Sequence, residues 1–329
     1  MPPQKTIVVV GATGTQGSSV ARTFASLPRW HVRCTSRDPS SPSAQQLSNL
    51  GCDVVAADLS DPASLTAAFA GAHAIFVNTD MWGTFRAGTA AGTDAVTAGQ
   101  QGYATEVAHG RNAARAASAV PTLERYVYSA LGPMKRASGG RYPHSYHWES
   151  KAAIVELIEG ELPGLARKTS LIYLGAYTTN PLLVPKREGG SGEYKTCLTC
   201  RGSTRFPMID AGVSTGPYVR ALVEDEEAGT KLLAYDDYLT IDQCLEAWSR
   251  AAGKPATFVG RSIEEMHETM GLPLEILDAP AFIEEFGYMA GVEGVVEPAQ
   301  LKAKVPARGF EEWLKNRSQE ELLGIQVVF

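Results

Sequence analysis

Four side chains in the middle of the chain have the chemistry to move a proton beside a carbonyl group. Ser129 closes the run Arg125-Tyr126-Val127-Tyr128-Ser129, and the later stretch Tyr146-His147-Trp148-Glu149-Ser150-Lys151 brings an imidazole, a phenol and an ammonium together. An imidazole titrates near neutrality, so His147 can act as acid or base without a large environmental shift. The Ser129 hydroxyl can polarise a carbonyl oxygen, and Lys151 can fix a ribose. Tyr146, with Tyr142 and His144 just upstream, offers a second proton donor. Each residue also has a plainer reading. His147 can be a polar residue at a helix start, Lys151 a solvated helix lysine, and Ser129 a strand-end hydroxyl satisfied by its own backbone.

Such chemistry can accompany a hydride transfer, and the amino-terminal stretch has the form that holds a dinucleotide. Ile7-Val8-Val9-Val10 reads as a buried parallel strand, and Gly11-Ala12-Thr13-Gly14-Thr15-Gln16-Gly17 turns from it into a helix over 18–26. Gly11 lets the chain reverse, Gly14 lets a pyrophosphate approach the backbone, and Gly17 lets the helix pack on the strand. The amides of the helix's first turn, at its positive dipole end, then face the anion. The alternative is an ordinary strand–helix turn without ligand. The second strand, His31–Thr35, ends at Ser36-Arg37-Asp38. NAD enzymes commonly carry a carboxylate there for the ribose diol. Arg37 with Ser36 instead suits a 2′-phosphate and hence NADP(H). Asp38 complicates this reading, because it can turn inward or pair with Arg37.

The remaining elements alternate as strand and helix: a third strand over 51–59, a helix over 64–69, a fourth strand over 74–79, a helix over 106–119, a fifth strand ending at Ser129 and a sixth at Thr169–Leu174. This order predicts an α/β fold, a doubly wound parallel Rossmann sheet. Asp58 and Leu59 fall where an adenine would lie, or form a strand-end turn; Asn78 and Thr79 end the strand facing the nicotinamide-side ribose. Residues 83–102, rich in Gly, Ala and Thr, read as a lid or substrate loop, or equally as a frayed helix start. From about Asn180 the character changes. Glu188–Glu193 reads as a flexible turn, and helices over 216–224, 242–252 and 262–270 alternate with short strands. We therefore expect a dinucleotide-binding domain over 1–179 and a smaller α+β substrate lobe over 180–329, interwoven with the sheet.

Composition narrows the function classes. The 329 residues are 44% hydrophobic and 20% charged, with a net charge of −6. That is ordinary globular composition without the basic surface a nucleic-acid partner needs. No apolar run approaches the roughly 20 residues of a membrane span. The strand starting at about residue 6 leaves no room for a signal peptide, so the expected location is cytoplasmic. The five cysteines are scattered; Cys197-Leu198-Thr199-Cys200 lacks the second pair or nearby His that a tetrahedral metal site requires, so no metal is expected. The aromatics Trp82, Phe85, Tyr142, Tyr146, Trp148, Tyr173, Tyr177 and Phe206 fall on segments at one sheet edge, where they could line a pocket for a planar ligand or simply pack.

The glycine turn with Arg37 resembles the NmrA-like family, atypical relatives of the short-chain dehydrogenases and reductases. His147-Trp148-Glu149-Ser150-Lys151 resembles that family's His-x-x-Ser-Lys segment, and Phe206-Pro207-Met208-Ile209-Asp210, Gly253-Lys254-Pro255, Phe286-Gly287-Tyr288 and Gly309–Leu314 resemble its later segments. The resemblance implies a Rossmann fold that prefers NADP(H), contacted by Gly11, Thr13, Gly14, Gln16, Gly17, Arg37, Asn78, Thr79, Lys151 and the exit that holds Tyr173, Leu174 and Tyr177; Thr15 in the turn and Ser36, Asp58 and Leu59 at the strand ends are further candidates for the same cofactor. Ordinary short-chain dehydrogenases use Ser and Tyr-x-x-x-Lys; here Ser129 and Lys151 are present and His147 stands at the tyrosine position. Glu106 falls near the place of a helix Asn in the extended enzymes. Three functions follow. One is an NADPH-dependent reductase of a small aromatic or polyketide-like carbonyl or enone, with His147 or Tyr146 as donor. Another is an NADP(H) sensor without turnover that controls a protein partner. The third keeps the cofactor as a structural element while the pocket performs an isomerisation or elimination.

Overall fold

A computed structural model describes residues 4–187 and 192–324. Its main sheet contains β1 (Lys5–Val10), β2 (Trp30–Ser36), β3 (Asp53–Ala56), β4 (Ala74–Val77), β5 (Arg125–Ala130), β6 (Thr169–Leu174), β7 (Lys231–Ala234) and β8 (Val295–Val296). The strands are parallel throughout and lie in the order β8-β7-β6-β5-β4-β1-β2-β3. Helices cover both faces, so Ile7, Val8, Val9 and Val10 are all buried, which is why β1 reads as an unbroken β-branched run rather than an alternating one. The order reverses between β1 and β4. Ligands of such sheets bind in the crevice beyond the carboxyl ends of the strands at that reversal.

The helices that shape this edge are α1 (Thr15–Ala25), α2 (Pro42–Asn49), α3 (Pro62–Phe69), α4 (Trp82–Ala90), α5 (Ala95–Ser118), α6 (Tyr146–Glu161), α7 (Ala211–Glu224), α8 (Ile241–Ala252) and α9 (Leu274–Phe286). Residues 83–102 are therefore not an open loop: α4 and the first two turns of α5 occupy them, with only 91–94 between. Asp94 caps α5 by accepting from the Thr97 amide at 3.0 Å. The glycines that weaken the helical pattern are contact points. A Cβ on Gly99 would lie 2.4 Å from Tyr146 Cδ2, and one on Gly110 would lie 2.4 Å from Ile154 Cδ1. Close packing of α6 on this small-residue face overrides low helix propensity. The sequence reading also passed over α2.

The segment beyond residue 180 does not stand apart. Its strands β7 and β8 complete the main sheet, and α7 packs on α1 through Gly216, where a Cβ would meet Thr23 Oγ1 at 2.1 Å. Two three-stranded sheets form the rest: Asp237–Thr240 with Arg205–Ile209 and Ala176–Tyr177, and Ala256–Gly260 with Tyr194–Leu198 and Lys186–Arg187. Of the turn expected at Glu188–Glu193, residues 188–191 lie outside the described residues. Among the described residues no helix is long and apolar enough to cross a membrane, and no group of three or more His, Cys, Asp or Glu side chains could hold a metal.

Asp236, just after β7, ties the start of α7 to the sheet. Its Oδ2 accepts from the Asp210 amide at 2.8 Å and from Ser214 Oγ at 2.9 Å, while Oδ1 has no partner. Burial raises its carboxyl from 3.8 to about 6. The folded state thus binds this proton more tightly than the unfolded state does. The cost of the charge is absent below pH ~4 and fully present above pH ~6. Asp236→Asn should raise the Tm at pH 8 and leave it nearly unchanged at pH 4. An equal gain at both pH values in thermal melts would contradict this assignment.

Candidate functional site

The glycine turn has the form its spacing predicts. Gly11 adopts φ +74°, and a Cβ on Gly17 would lie 2.2 Å from the Gly11 carbonyl oxygen, so neither position accepts a side chain without backbone movement. Gly14 caps α1 with extended geometry and no side-chain hydrogen bond. Thr13, Gly14 and Thr15 are exposed, leaving the first-turn amides open to an anion. Gln16 is buried beneath them. Its Nε2 donates to Tyr177 Oη at 2.7 Å, and its Oε1 has no partner. A buried acceptor beside an uncapped helix start, with a glycine at the point of approach, fits a dinucleotide.

At the end of β2, Arg37 is exposed and makes no hydrogen bond or ion pair among the described residues. Asp38 does not compete for it. Its Oδ1 accepts from the Ser40 amide at 2.9 Å and from Ser40 Oγ at 2.5 Å, which holds the carboxyl below its ordinary value. The Ser36 hydroxyl donates to the Asp38 carbonyl at 2.9 Å, so it serves the turn. Asp58 likewise closes a strand-end turn by accepting from the Ser60 amide at 2.7 Å. That bond, with help from nearby His109 and Arg37, holds its carboxyl low. The Leu59 carbonyl accepts from Asn112 Nδ2 at 2.8 Å, and His109 Nε2 contacts Ser60 Oγ at 2.9 Å, so α5 pins this turn.

The catalytic candidates separate into two groups. Lys151 Nζ lies 3.1 Å from Asn78 Oδ1, 3.0 Å from the Thr79 carbonyl, 3.3 Å from the Ser129 carbonyl and 3.2 Å from Glu106 Oε1. Glu106 is fully buried on α5 and also accepts from Thr79 Oγ1 at 2.6 Å and from Ser150 Oγ. Thr79 Oγ1 in turn contacts Tyr128 Oη at 3.0 Å. The ammonium is therefore paired from within with a carboxylate that the sequence reading places near a helix Asn of the extended enzymes, with no sign of its ion pair.

One turn earlier on α6, His147 Nδ1 contacts Glu275 Oε1 at 2.5 Å. Its Nε2 has no protein partner among the described residues, and the side chain is 20% exposed. Trp82 lies beside the imidazole, with ring centroids 5.0 Å apart. Tyr146 instead packs on Gly99 and beside Met81, Phe85 and Ala98.

Several expected contacts belong to the core. Tyr173 is 2% and Leu174 4% exposed, and the Leu174 carbonyl is taken by Tyr288 Oη at 2.7 Å. Tyr142, Trp148, Phe206 and Phe85 are also buried. Hydrophobic burial claims these rings, so of the eight aromatics only Trp82, Tyr146 and Tyr177 keep partial exposure. Ser129 is buried at the tip of β5. A cavity of about 400 Å³ adjoins Ala12 and Thr13 and is lined also by Arg22, Ser43 and Gln46.

Comparison with known proteins gives the family and related folds. The "NmrA-like family domain-containing oxidoreductase himF" of Aspergillus japonicus is 27% identical over 281 residues, covering 82% of this chain and 79% of that protein. The oxidoreductase hkm9 of Aspergillus hancockii is 46% identical over 72 residues, 22% of each chain. Among solved structures, NmrA, titled a negative transcriptional regulator in complex with NAD, aligns with a TM-score of 0.70 at 22% identity over 95% of both chains. Leucoanthocyanidin reductase of Vitis vinifera, titled as a binary complex with NADPH, aligns at 0.69 and 16% identity over 94% of this chain and 98% of that one. A family model for the NmrA-like family matches residues 3–314, and the chain belongs to that family.

Proposed function

We propose that this protein is an NADP(H)-dependent oxidoreductase that reduces a small aromatic or polyketide-like carbonyl or enone. The observation that carries the reading is His147: its Nδ1 is held by a buried carboxylate, its Nε2 is unengaged, and it sits one helical turn from a lysine clustered at the tips of β4 and β5. Gly11, Gly14, Gly17 and the first-turn amides of α1 would hold the pyrophosphate, and Arg37 the 2′-phosphate. Gln16 with Tyr177, Asn78 and Lys151 would face the nicotinamide-side ribose. When bound, reduced nicotinamide supplies a hydride. His147 Nε2 then holds the proton that completes addition across the carbonyl, and Trp82 offers a flat apolar wall beside it. Tyr146 is the weaker donor because its ring is packed against Gly99. The names of the fungal relatives and the titles of the reductase structures support an oxidoreductase. The test is NADPH consumption, followed by nicotinamide absorbance, against a panel of quinones, enones and aromatic ketones. Tight NADPH binding without turnover of any member would overturn the reading.

One observation favours a second reading, an NADP(H) sensor acting on a protein partner. Lys151 already has a full set of protein acceptors and Ser129 is buried, so part of the usual relay is committed to structure. The similarity in fold to a protein titled a transcriptional regulator points the same way. Both readings require Arg37. Arg37→Ala should weaken NADPH by about 10- to 100-fold, the worth of one charge-assisted phosphate contact, and leave NADH nearly unchanged. Equal losses in fluorescence titrations would remove Arg37 from the phosphate site.

A further inference from the structure

We infer that Glu275, delivered by α9 of the carboxyl-terminal segment, is the positioning residue that sets the tautomer and orientation of His147. The inference rests on the oxidoreductase reading for its kinetic consequence, though not for its structural one. Glu275 is 3% exposed and lies 128 residues from the histidine in sequence. Its Oε2 accepts from the Tyr146 amide at 2.9 Å, and its Oε1 accepts from the His147 amide at 3.0 Å and contacts His147 Nδ1 at 2.5 Å. The carboxylate thus caps the start of α6 from another part of the chain, and it also lies in the first turn of α9. Two helix amino ends converge on it, which favours a negative charge at that point despite burial.

The chemical consequence concerns which nitrogen carries the proton. An ionised carboxylate is acceptor only. Facing Nδ1, it requires Nδ1–H, so a neutral His147 presents Nε2 as a base and a protonated one presents Nε2–H as the acid. A carboxylate that holds an imidazole in this way fixes its tautomer and stabilises the imidazolium without touching the reacting atoms. The hydrogen bonds that the same two oxygens accept from the Tyr146 and His147 amides keep the carboxylate from swinging away. Because Glu275 belongs to α9, the donor is assembled only when the carboxyl-terminal segment is seated on α6.

The other charged groups facing this point are Asp278, one turn along α9, and His144, before α6. Asp278 accepts from the His144 amide at 2.8 Å and contacts His144 Nδ1 at 3.2 Å, and burial raises its carboxyl. This second histidine–carboxylate pair makes the same seam between α9 and the α6 start but does not reach His147. It is the natural control.

The test compares the wild type with Glu275→Gln, Glu275→Asp and Asp278→Asn. The ¹⁵N-labelled histidine spectrum of the wild type should show His147 with Nδ1 protonated at alkaline pH, and Glu275→Gln should lose that preference. With a substrate in hand, Glu275→Gln should lower kcat by about 10- to 100-fold with little change in NADPH affinity, as for other groups that orient a working side chain. Its kcat/KM profile against pH should differ from that of the wild type. Glu275→Asp should recover part of the loss, and Asp278→Asn should stay within about threefold of the wild type. A wild-type Nε2–H tautomer, or a Glu275→Gln protein with unchanged tautomer and pH profile, would overturn the inference. Absence of turnover in the wild type would instead overturn the oxidoreductase reading, and the spectrum would still decide the role of Glu275. Should Glu275→Gln fail to fold, Glu275→Asp and the wild-type spectrum carry the test.

Discussion

Replacing His147 with alanine should lower kcat by about 10²- to 10⁴-fold, the range for loss of a positioned general acid, with NADPH affinity unchanged within a factor of about two. The separation of effects follows from the layout of the site. His147 bonds to α9 and lies beside Trp82. The groups proposed to hold NADP(H) lie on the glycine turn, at Arg37 and around Lys151. Removing the imidazole takes away the proposed proton donor and leaves those groups in place. It also leaves Glu275 its two amide donors, so the start of α6 should persist and the variant should fold. Single-turnover rates with saturating NADPH, beside an equilibrium titration, give both quantities. Unchanged turnover would move the donor to another group, with Tyr146 the next to replace. Equal losses of turnover and NADPH affinity would make His147 a cofactor contact rather than a proton donor.

Glu106→Ala should destabilise the fold by about 3 kcal/mol, near the low end of what breaking a buried ion pair costs. Glu106 is fully buried and takes three partners: Thr79 Oγ1, Ser150 Oγ and the Lys151 ammonium. Alanine leaves the ammonium without a counter-charge at a side chain only 12% exposed. The loss is limited because Nζ retains the Asn78, Thr79 and Ser129 oxygens. Glu106→Gln, which keeps acceptor and shape, should cost less. In the double variant Glu106→Ala/Lys151→Met, part of the stability should return, because the orphaned charge leaves with the lysine. Thermal and urea melts of the three variants make the comparison. A Glu106→Ala protein as stable as the wild type would mean that the pair does not carry the charge compensation we assign to it.

The sequence by itself determined the sheet and its cofactor end, because both depend on local rules. The run Ile7–Val10 needed only burial on both faces, and the glycine turn needed only backbone freedom at Gly11 and close approach at Gly17. The place of Arg37 at the end of β2 could be counted along the chain from that turn. The tertiary structure alone decided the rest. Within 83–102, the start of α5 packs against α6 at Gly99, a helical glycine that local propensity disfavours. The fate of Tyr142, Trp148, Tyr173 and Phe206 was set by which rings the core enclosed, since an aromatic at a strand end looks the same in sequence whether it lines a pocket or fills a core. Glu106 carried a faint signal, its place near a helix Asn of the extended enzymes. Glu275 carried none. Its partner is 128 residues away, and only the seating of α9 on α6 turns an ordinary first-turn glutamate into the group that holds His147.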